Sequence, residues 1–143
     1  MSKLLSRARV YYEHALTVDY KKINKDDVYL DSCCFHLQQS IEFILKGIVE
    51  MHGMQYAENH DIRANLNILN RAGISIPYEK ELRDKAEVLY RWETETRYKD
   101  SFIAAIKDIE EVMEIFINLI TYVEKDLSVR TAVEKPFPDT RVR

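Results

Sequence analysis

Hydrophobic and polar positions recur with a helical period over most of this chain, and the longest such stretch runs from Leu30 to Ile48. At about 100° per residue, its apolar side chains fall close to one line, as they do on the buried face of a helix. These apolar positions are Leu30, Cys33, Leu37, Ile41, Ile44 and Ile48. The pattern predicts a long central helix that ends near His52, because Gly53 suits the position that follows a helix.

The same period predicts further helices on either side of the central one. They cover Leu4 to about Lys22, Asn59 or Asp61 to Gly73, Glu79 to Trp92, and Ser101 to Leu127. In the last helix the apolar arc widens toward about 200°, whereas a lone surface helix needs only about 100°. This surplus indicates that the last helix packs between several partners or against a second subunit.

Few turn-forming residues interrupt these helices. The 143 residues include only 3 Gly and 3 Pro, and 46% of them are hydrophobic, which suits one domain with a substantial core. Beyond Leu127 the helical period stops and two prolines follow, Pro136 and Pro138. The sequence therefore predicts an all-α bundle of four to five up-and-down helices over residues 1–127, with an irregular tail over residues 128–143.

Charge and cysteine content narrow the possible partners and the compartment. A net charge of −3 and a pI near 5.8 argue against a surface that is basic throughout. No apolar run is long enough to cross a membrane, and the N-terminus lacks the apolar core of a signal peptide. Cys33 and Cys34 are adjacent and point about 100° apart on a helix, so they cannot easily pair. We therefore expect a cytoplasmic protein with reduced thiols and no membrane span.

A row of mostly polar residues accompanies the central helix on the side away from its apolar stripe. Its members are Ser32, His36, Gln39, Phe43 and Lys46. Ser40 and Gly47 flank the row, and such small residues let a neighbouring backbone approach and leave a crevice in which a ligand can bind. The alternative is an ordinary solvent-exposed face, which these residue types form equally often.

Motifs for metal or catalytic chemistry are weak. The 4 His and 2 Cys form neither a Cys-x2-Cys pair nor a His-Glu-x2-His motif, so we expect no metal and no cofactor. Three scattered glycines cannot build a phosphate-binding loop. Cys33 and His36 have the spacing of a nucleophile and a base, but Cys33 belongs to the apolar stripe, where thiols are usually inert.

Two short polar clusters lie near the ends of predicted helices. Asn59-His60-Asp61 precedes the third helix, where Asn and Asp commonly accept the free amide hydrogens of the first turn; a ligand contact is the alternative. Arg97 and Tyr98 follow the fourth helix. They offer a guanidinium fork and an aromatic ring that suit a phosphate or a base, whereas the alternative is a surface ion pair with a nearby glutamate.

Three segments together resemble the HEPN domain family of nucleotide-binding helical domains. They are Cys33–Gly47, Asn59-His60-Asp61-Ile62 and Glu95-Thr96-Arg97-Tyr98, in the family's order. The resemblance implies a bundle of four or five helices, frequent homodimers and nucleotide or RNA ligands. It also implies minimal nucleotidyltransferases as partners, often as toxin and antitoxin.

The chain departs from this resemblance where the family's catalysis is concerned. Ribonuclease members carry an Arg-x4–6-His motif near the later helices, where Arg holds a phosphate and His moves a proton. In this chain no His follows His60. Arg9 and His14 have the right spacing, but they lie in the first predicted helix and point about 140° apart. In the family the central helix carries a second Lys, and Phe43 stands at that position in this chain. Lys46 is therefore the only one of the two lysines present, which predicts weaker anion binding.

We therefore expect a non-ribonuclease HEPN-like bundle that binds a nucleotide or RNA, or pairs with a minimal nucleotidyltransferase, without catalysis. The predicted ligand-binding residues are His36, Gln39, Lys46, Arg97 and Tyr98. Those predicted to support the site or cap a helix are Ser32, His60 and Asp61. Two alternatives are a ribonuclease toxin that uses His36 or His60, and an interaction module that binds a partner through its last helix.

Overall fold

Helices make up the regular structure in the part of this chain that the structure describes. The structure, a computed structural model, describes residues 3–24, 28–96 and 104–127. Its helices are α1 (Lys3–Leu16), α2 (Val28–Met51), α3 (Arg63–Arg71), α4 (Glu79–Glu95) and α5 (Ile106–Tyr122), with a π-helical turn at Val123–Leu127. No strand occurs within the described ranges, and the predicted all-α bundle is confirmed. The domain limits stay a prediction, and the predicted tail lies outside the described residues.

The hydrophobic core is built around α2, which packs against all four other α-helices. The apolar stripe predicted from Leu30 to Ile48 is fully excluded from solvent. Cys33, which belongs to the stripe, and its neighbour Cys34 are both buried and form no disulfide. Burial raises the pKa of the Cys33 thiol to about 11, and it raises the pKa of Cys34 as well. Both thiols are therefore protonated and poorly nucleophilic at neutral pH.

The contact between α1 and α2 depends on Gly47. A Cβ atom at this position would lie 2.5 Å from Cδ2 and 2.8 Å from Cγ of Leu5, a buried side chain of α1. The backbone nitrogen of Leu5 would be only 3.5 Å away. The missing side chain of Gly47 thus makes room for the side chain of Leu5 on the neighbouring helix.

Most of the wide apolar arc of α5 is buried against other parts of this chain. It packs against α2 and α4. Its buried residues are Ile109, Val112, Ile115, Phe116, Leu119 and Ile120. Met113 is half-buried against the core, whereas Ile117 is 47% exposed. Contacts with neighbouring helices therefore account for most of the additional apolar residues that the sequence showed in this helix.

The ends of the first helices follow local backbone chemistry. α1 stops at Leu16 rather than near Lys22, because the amide groups of Thr17 and Val18 each bond three residues back at 3.2 Å and begin a turn. Gly53 and Gly73 have φ angles of +76° and +73°. These left-handed conformations confirm the predicted stops after α2 and α3.

α4 and α5 also differ from their predicted limits. α4 continues to Glu95, because the hydroxyl groups of Thr94 and Thr96 donate to carbonyl oxygens four residues earlier and so remain compatible with a helix. α5 begins at Ile106, after an extended Ala105. Residues 101–103, where the last helix was expected to start, lie outside the described residues. None of the described helices combines the length and apolar character that crossing a membrane requires.

Candidate functional site

A buried polar file runs along α2 beside the apolar stripe, and it consists of Gln38, Gln39, Glu42 and Lys46. Each of these side chains belongs to a residue that is no more than 8% exposed. Burial of such groups costs free energy unless hydrogen bonds replace those made with water. The partners come from the file itself, from α4 and from the loop that precedes α3.

Hydrogen bonds connect the polar file to α4. The Lys46 ammonium donates to Glu42 Oε2 at 2.8 Å, and the Gln38 amide donates to Glu42 Oε1 at 3.0 Å. The Gln39 amide donates to Gln38 Oε1 at 2.6 Å and to Glu93 Oε2 at 3.0 Å. The middle of α2 is thereby tied to the last turn of α4.

His60 brings the loop before α3 to the polar file. Its Nδ1 lies 3.0 Å from Glu42 Oε1, and its side chain remains 61% exposed. Because Glu42 is buried and fixed, it orients the imidazole ring and leaves Nε2 available to solvent or to a ligand.

Glu42 stays ionised at neutral pH in spite of its burial. Desolvation alone would raise the pKa of its carboxyl group. Hydrogen bonds from Lys46, His60 and Gln38 outweigh that effect and lower the pKa below its ordinary value. The polar file therefore carries a fixed negative charge beside the Lys46 ammonium.

A cleft of about 370 Å³ opens beside the polar file, between α1, α2 and the loop that precedes α3. The Lys46 ammonium lies in it, 5.2 Å from the ring centroid of Phe43 and 5.7 Å from that of Tyr56. The polar side chains along its walls also include Arg7, Gln39, Glu42, Glu58, Asn59 and His60. A cation, amide groups and aromatic faces in one cleft can hold the phosphate and the base of a nucleotide.

Two of the predicted ligand residues, Gln39 and Lys46, line this cleft together. His36 is not among its lining residues. Tyr11 of α1 lies over α2 between the two places, with its ring centroid 5.5 Å from that of Phe43 and 6.0 Å from that of His36. The sequence pattern placed His36 and Lys46 in one crevice, but the described residues that line the cleft include Lys46 and not His36.

His36 contacts Ser32 and His14 instead. Its Nδ1 lies 2.7 Å from the carbonyl oxygen and 3.3 Å from the hydroxyl oxygen of Ser32. Its ring meets that of His14 edge-on, with centroids 5.4 Å apart. The supporting role of Ser32 and the ligand-binding role of His36 both stay predictions.

The cluster before α3 has the capping geometry that the sequence favoured. Asp61 Oδ1 accepts a hydrogen bond from the backbone N–H of Arg63 at 3.0 Å, and Asn59 Oδ1 accepts one from the N–H of Asp61 at 2.8 Å. The first amide of α3 is satisfied in this way. Arg97 and Tyr98 lie outside the described residues, and their ligand-binding roles stay predictions.

Comparison with protein-family models relates this helical bundle to a known family. The model of the HEPN domain matches residues 1–126. The chain belongs to the HEPN domain family. Comparisons with curated proteins and with solved structures give no match. Membership supports a helical module with a nucleotide- or RNA-related function or a place in a toxin–antitoxin system.

Glu42, His60 and Glu93 of this HEPN domain form a group of the metal-ligand type. One donor atom of each residue lies within 4.8 Å of the other two. Two carboxylates and an imidazole are suitable ligands for a divalent transition metal. In this structure the carboxylates accept hydrogen bonds from the polar file, with which a cation would have to compete.

The sequence gave little indication of most of the residues that complete the site of this HEPN domain. Glu42 and Lys46 stand four positions apart with the acidic residue first, a favourable helical ion pair that was an available signal. Arg7 and Glu93 lie on two other elements, and His60, which the sequence proposed as a supporting residue, lies on a third. Their convergence depends on how those elements pack, which periodicity along the chain does not specify.

Proposed function

We propose that this HEPN domain binds a nucleotide, free or within RNA, in the cleft beside the polar file. The observation that carries the proposal is the position of Lys46, whose ammonium lies in the cleft beside the rings of Phe43 and Tyr56. A phosphate oxygen can accept a hydrogen bond from this ammonium while the base packs on the ring of Tyr56, since Tyr11 already stacks on Phe43.

Neighbouring side chains give this ligand further partners. The Oε1 atom of Gln39 and the NH2 group of Asn59 can read polar edges of a base, and Arg7 can contact a phosphate from α1. Arg97 would add a second cation and Tyr98 another aromatic face, as the family motif implies. Their approach to the cleft is part of the proposal.

Binding is proposed to occur without turnover. The sequence of the later helices contains no histidine with which to form the Arg-x4–6-His motif of ribonuclease members. A non-catalytic HEPN domain fits the role of one component in a toxin–antitoxin-like pair. In that pair a minimal nucleotidyltransferase is the proposed partner, and a second copy of this chain forms the proposed homodimer.

Calorimetric titration of AMP into the full chain tests the nucleotide site. Wild type is expected to release binding heat, and Lys46→Met is expected to weaken AMP at least about tenfold, because a charge-assisted hydrogen bond is lost. Lys107→Met, an exposed lysine of α5 outside the cleft, is the matched control and should bind as wild type does. Thermal melting establishes that each variant is folded, and absence of heat with wild type contradicts the proposal.

A second candidate function is RNA cleavage with His60 as the base. It is favoured by the contact of His60 Nδ1 with the buried Glu42 carboxylate, the arrangement that prepares an imidazole to accept a proton at Nε2. Growth arrest on expression, relieved by His60→Ala and unaffected by His36→Ala, is the expected result for this function. Expression of wild type without arrest and without RNA cleavage contradicts it.

A further inference from the structure

The formal charges around the cleft nearly balance. Among the described residues that line it, Arg7 and Lys46 are cationic, and Glu42 and Glu58 are anionic. Lys46 already donates to Glu42 at 2.8 Å, and Glu42 is only 2% exposed, so its charge cannot move away into solvent. An incoming phosphate therefore meets an ammonium whose charge is partly neutralised.

Glu58 places a second carboxylate on the solvent side of the cleft. It is exposed and belongs to the loop that precedes α3. A phosphate monoester carries a charge of about −1.5 to −2 at pH 7, and each further phosphate adds more negative charge. Arg7 and Lys46 can both donate to one phosphate, whereas the two carboxylates oppose each additional phosphate.

The size of the cleft also favours a ligand with few phosphate groups. Its volume of about 370 Å³ lies near the lower end of the range of about 300–1,000 Å³ that small-molecule sites occupy. Part of the wall is taken by the ring of Tyr56, which suits a base. The remaining polar wall matches a short anionic group better than a polyphosphate chain.

We propose that the cleft selects a nucleotide unit with a single phosphate group, and that Glu58 disfavours ligands with two or three phosphates. This inference rests on the proposed function of the cleft. The unit is a base next to one phosphate, which either a free nucleoside monophosphate or an internal nucleotide of RNA supplies.

Titration of adenosine, AMP and ATP into the full chain in magnesium-free buffer tests this selectivity. AMP is expected to bind more tightly than adenosine and at least about tenfold more tightly than ATP. Glu58→Gln should raise the affinity for ATP about three- to fivefold relative to AMP, because one nearby negative charge is removed in a solvated site. Glu13→Gln on the exposed face of α1 is the matched control and should leave the ratio unchanged.

The outcomes separate this inference from the proposed function. Binding of ATP as tight as that of AMP overturns the selectivity and leaves nucleotide binding intact, whereas no binding of any probe overturns both. Equal effects of Glu58→Gln and Glu13→Gln overturn the assignment to Glu58. Tighter binding of the dinucleotide ApA than of AMP identifies RNA as the source of the unit, and the reverse order identifies the free monophosphate.

Discussion

Glu42 is the side chain on which the candidate site depends most. Its two carboxylate oxygens face Lys46, Gln38 and His60, which come from the same helix and from the loop before α3. Hydrogen bonds to a charged group contribute about 1.5–3 kcal/mol each, and a buried partner left unpaired costs a similar amount. Glu42 therefore holds the Lys46 ammonium and the His60 imidazole in place, and this positioning is its role in the candidate site.

The pH dependence of stability should report on Glu42. Its pKa is lower in the folded chain than in the unfolded chain, so its contribution to stability is present above the ordinary glutamate pKa of about 4.3. That contribution is lost as the pH falls through the ordinary value toward the lower folded one. Glu42→Gln should lower the free energy of unfolding at pH 7 by about 1–3 kcal/mol and flatten its decline below about pH 5.

Urea denaturation at a series of pH values measures this effect. Glu13→Gln, a change at an exposed position of α1, is the control and should follow the wild-type profile. Profiles of Glu42→Gln and wild type that run parallel between pH 3 and pH 7 would contradict the assigned role of this carboxylate.

Individual residues of the site were predictable only where local spacing carried the information. Lys46 and Gln39 were identified because both lie on one helical face, and they line the cleft. His36 lies on the same face by spacing, yet ten residues of helix put it about 15 Å along the axis from Lys46, beside the ring of Tyr11. Glu93 reaches Gln39 from α4, a contact between positions 54 apart that helical spacing cannot reveal.

Among the elements, α1 and α2 approach each other closely at Gly47. Gly47 leaves no room for a Cβ atom against Leu5, and Leu5 is almost completely buried. Alanine would favour the helix by up to about 1 kcal/mol, but overpacking typically costs about 1–3 kcal/mol. The steric effect is therefore expected to exceed the gain in helix propensity.

A double-mutant cycle between these two helices follows from that contact. Gly47→Ala should destabilise the chain by about 1 kcal/mol, and Leu5→Ala by about 2–4 kcal/mol. In the double variant the alanine that replaces Leu5 leaves room for the methyl group added at position 47. The combined loss of stability should therefore be smaller than the sum of the two single losses by about 1 kcal/mol or more. Leu5→Ala combined with Lys107→Ala should be additive, and additivity of the Gly47 pair as well would show that the helices adjust without strain.

The elements themselves were largely predictable, whereas their ends were not. The apolar period of α2 and the glycines that follow α2 and α3 correspond to features of the structure. The predicted limits of α1 and α4 failed at threonines. Thr17 begins a turn, but the hydroxyls of Thr94 and Thr96 bond to the preceding helical turn, and the residue type alone does not choose between these states.

For the whole molecule, the proposed homodimer can be tested at Ile117. This side chain is 47% exposed on α5, where the sequence indicated a second packing surface. If that face joins two copies, wild type should sediment as a dimer and Ile117→Asp as a folded monomer, because the new carboxylate would be desolvated without a partner. Val10, which is 48% exposed on α1, gives the matched control Val10→Asp, which should remain dimeric. A dimeric Ile117→Asp variant would place the interface elsewhere.

The chain has two cysteines, and both lie inside α2 with no exposed thiol surface. An alkylating reagent such as iodoacetamide can therefore react only with molecules in which this helix has separated from its neighbours. The rate of labelling in native buffer consequently measures how often the central helix becomes accessible, without any introduced probe. A ligand that closes the cleft against α2 should slow that reaction in proportion to its occupancy.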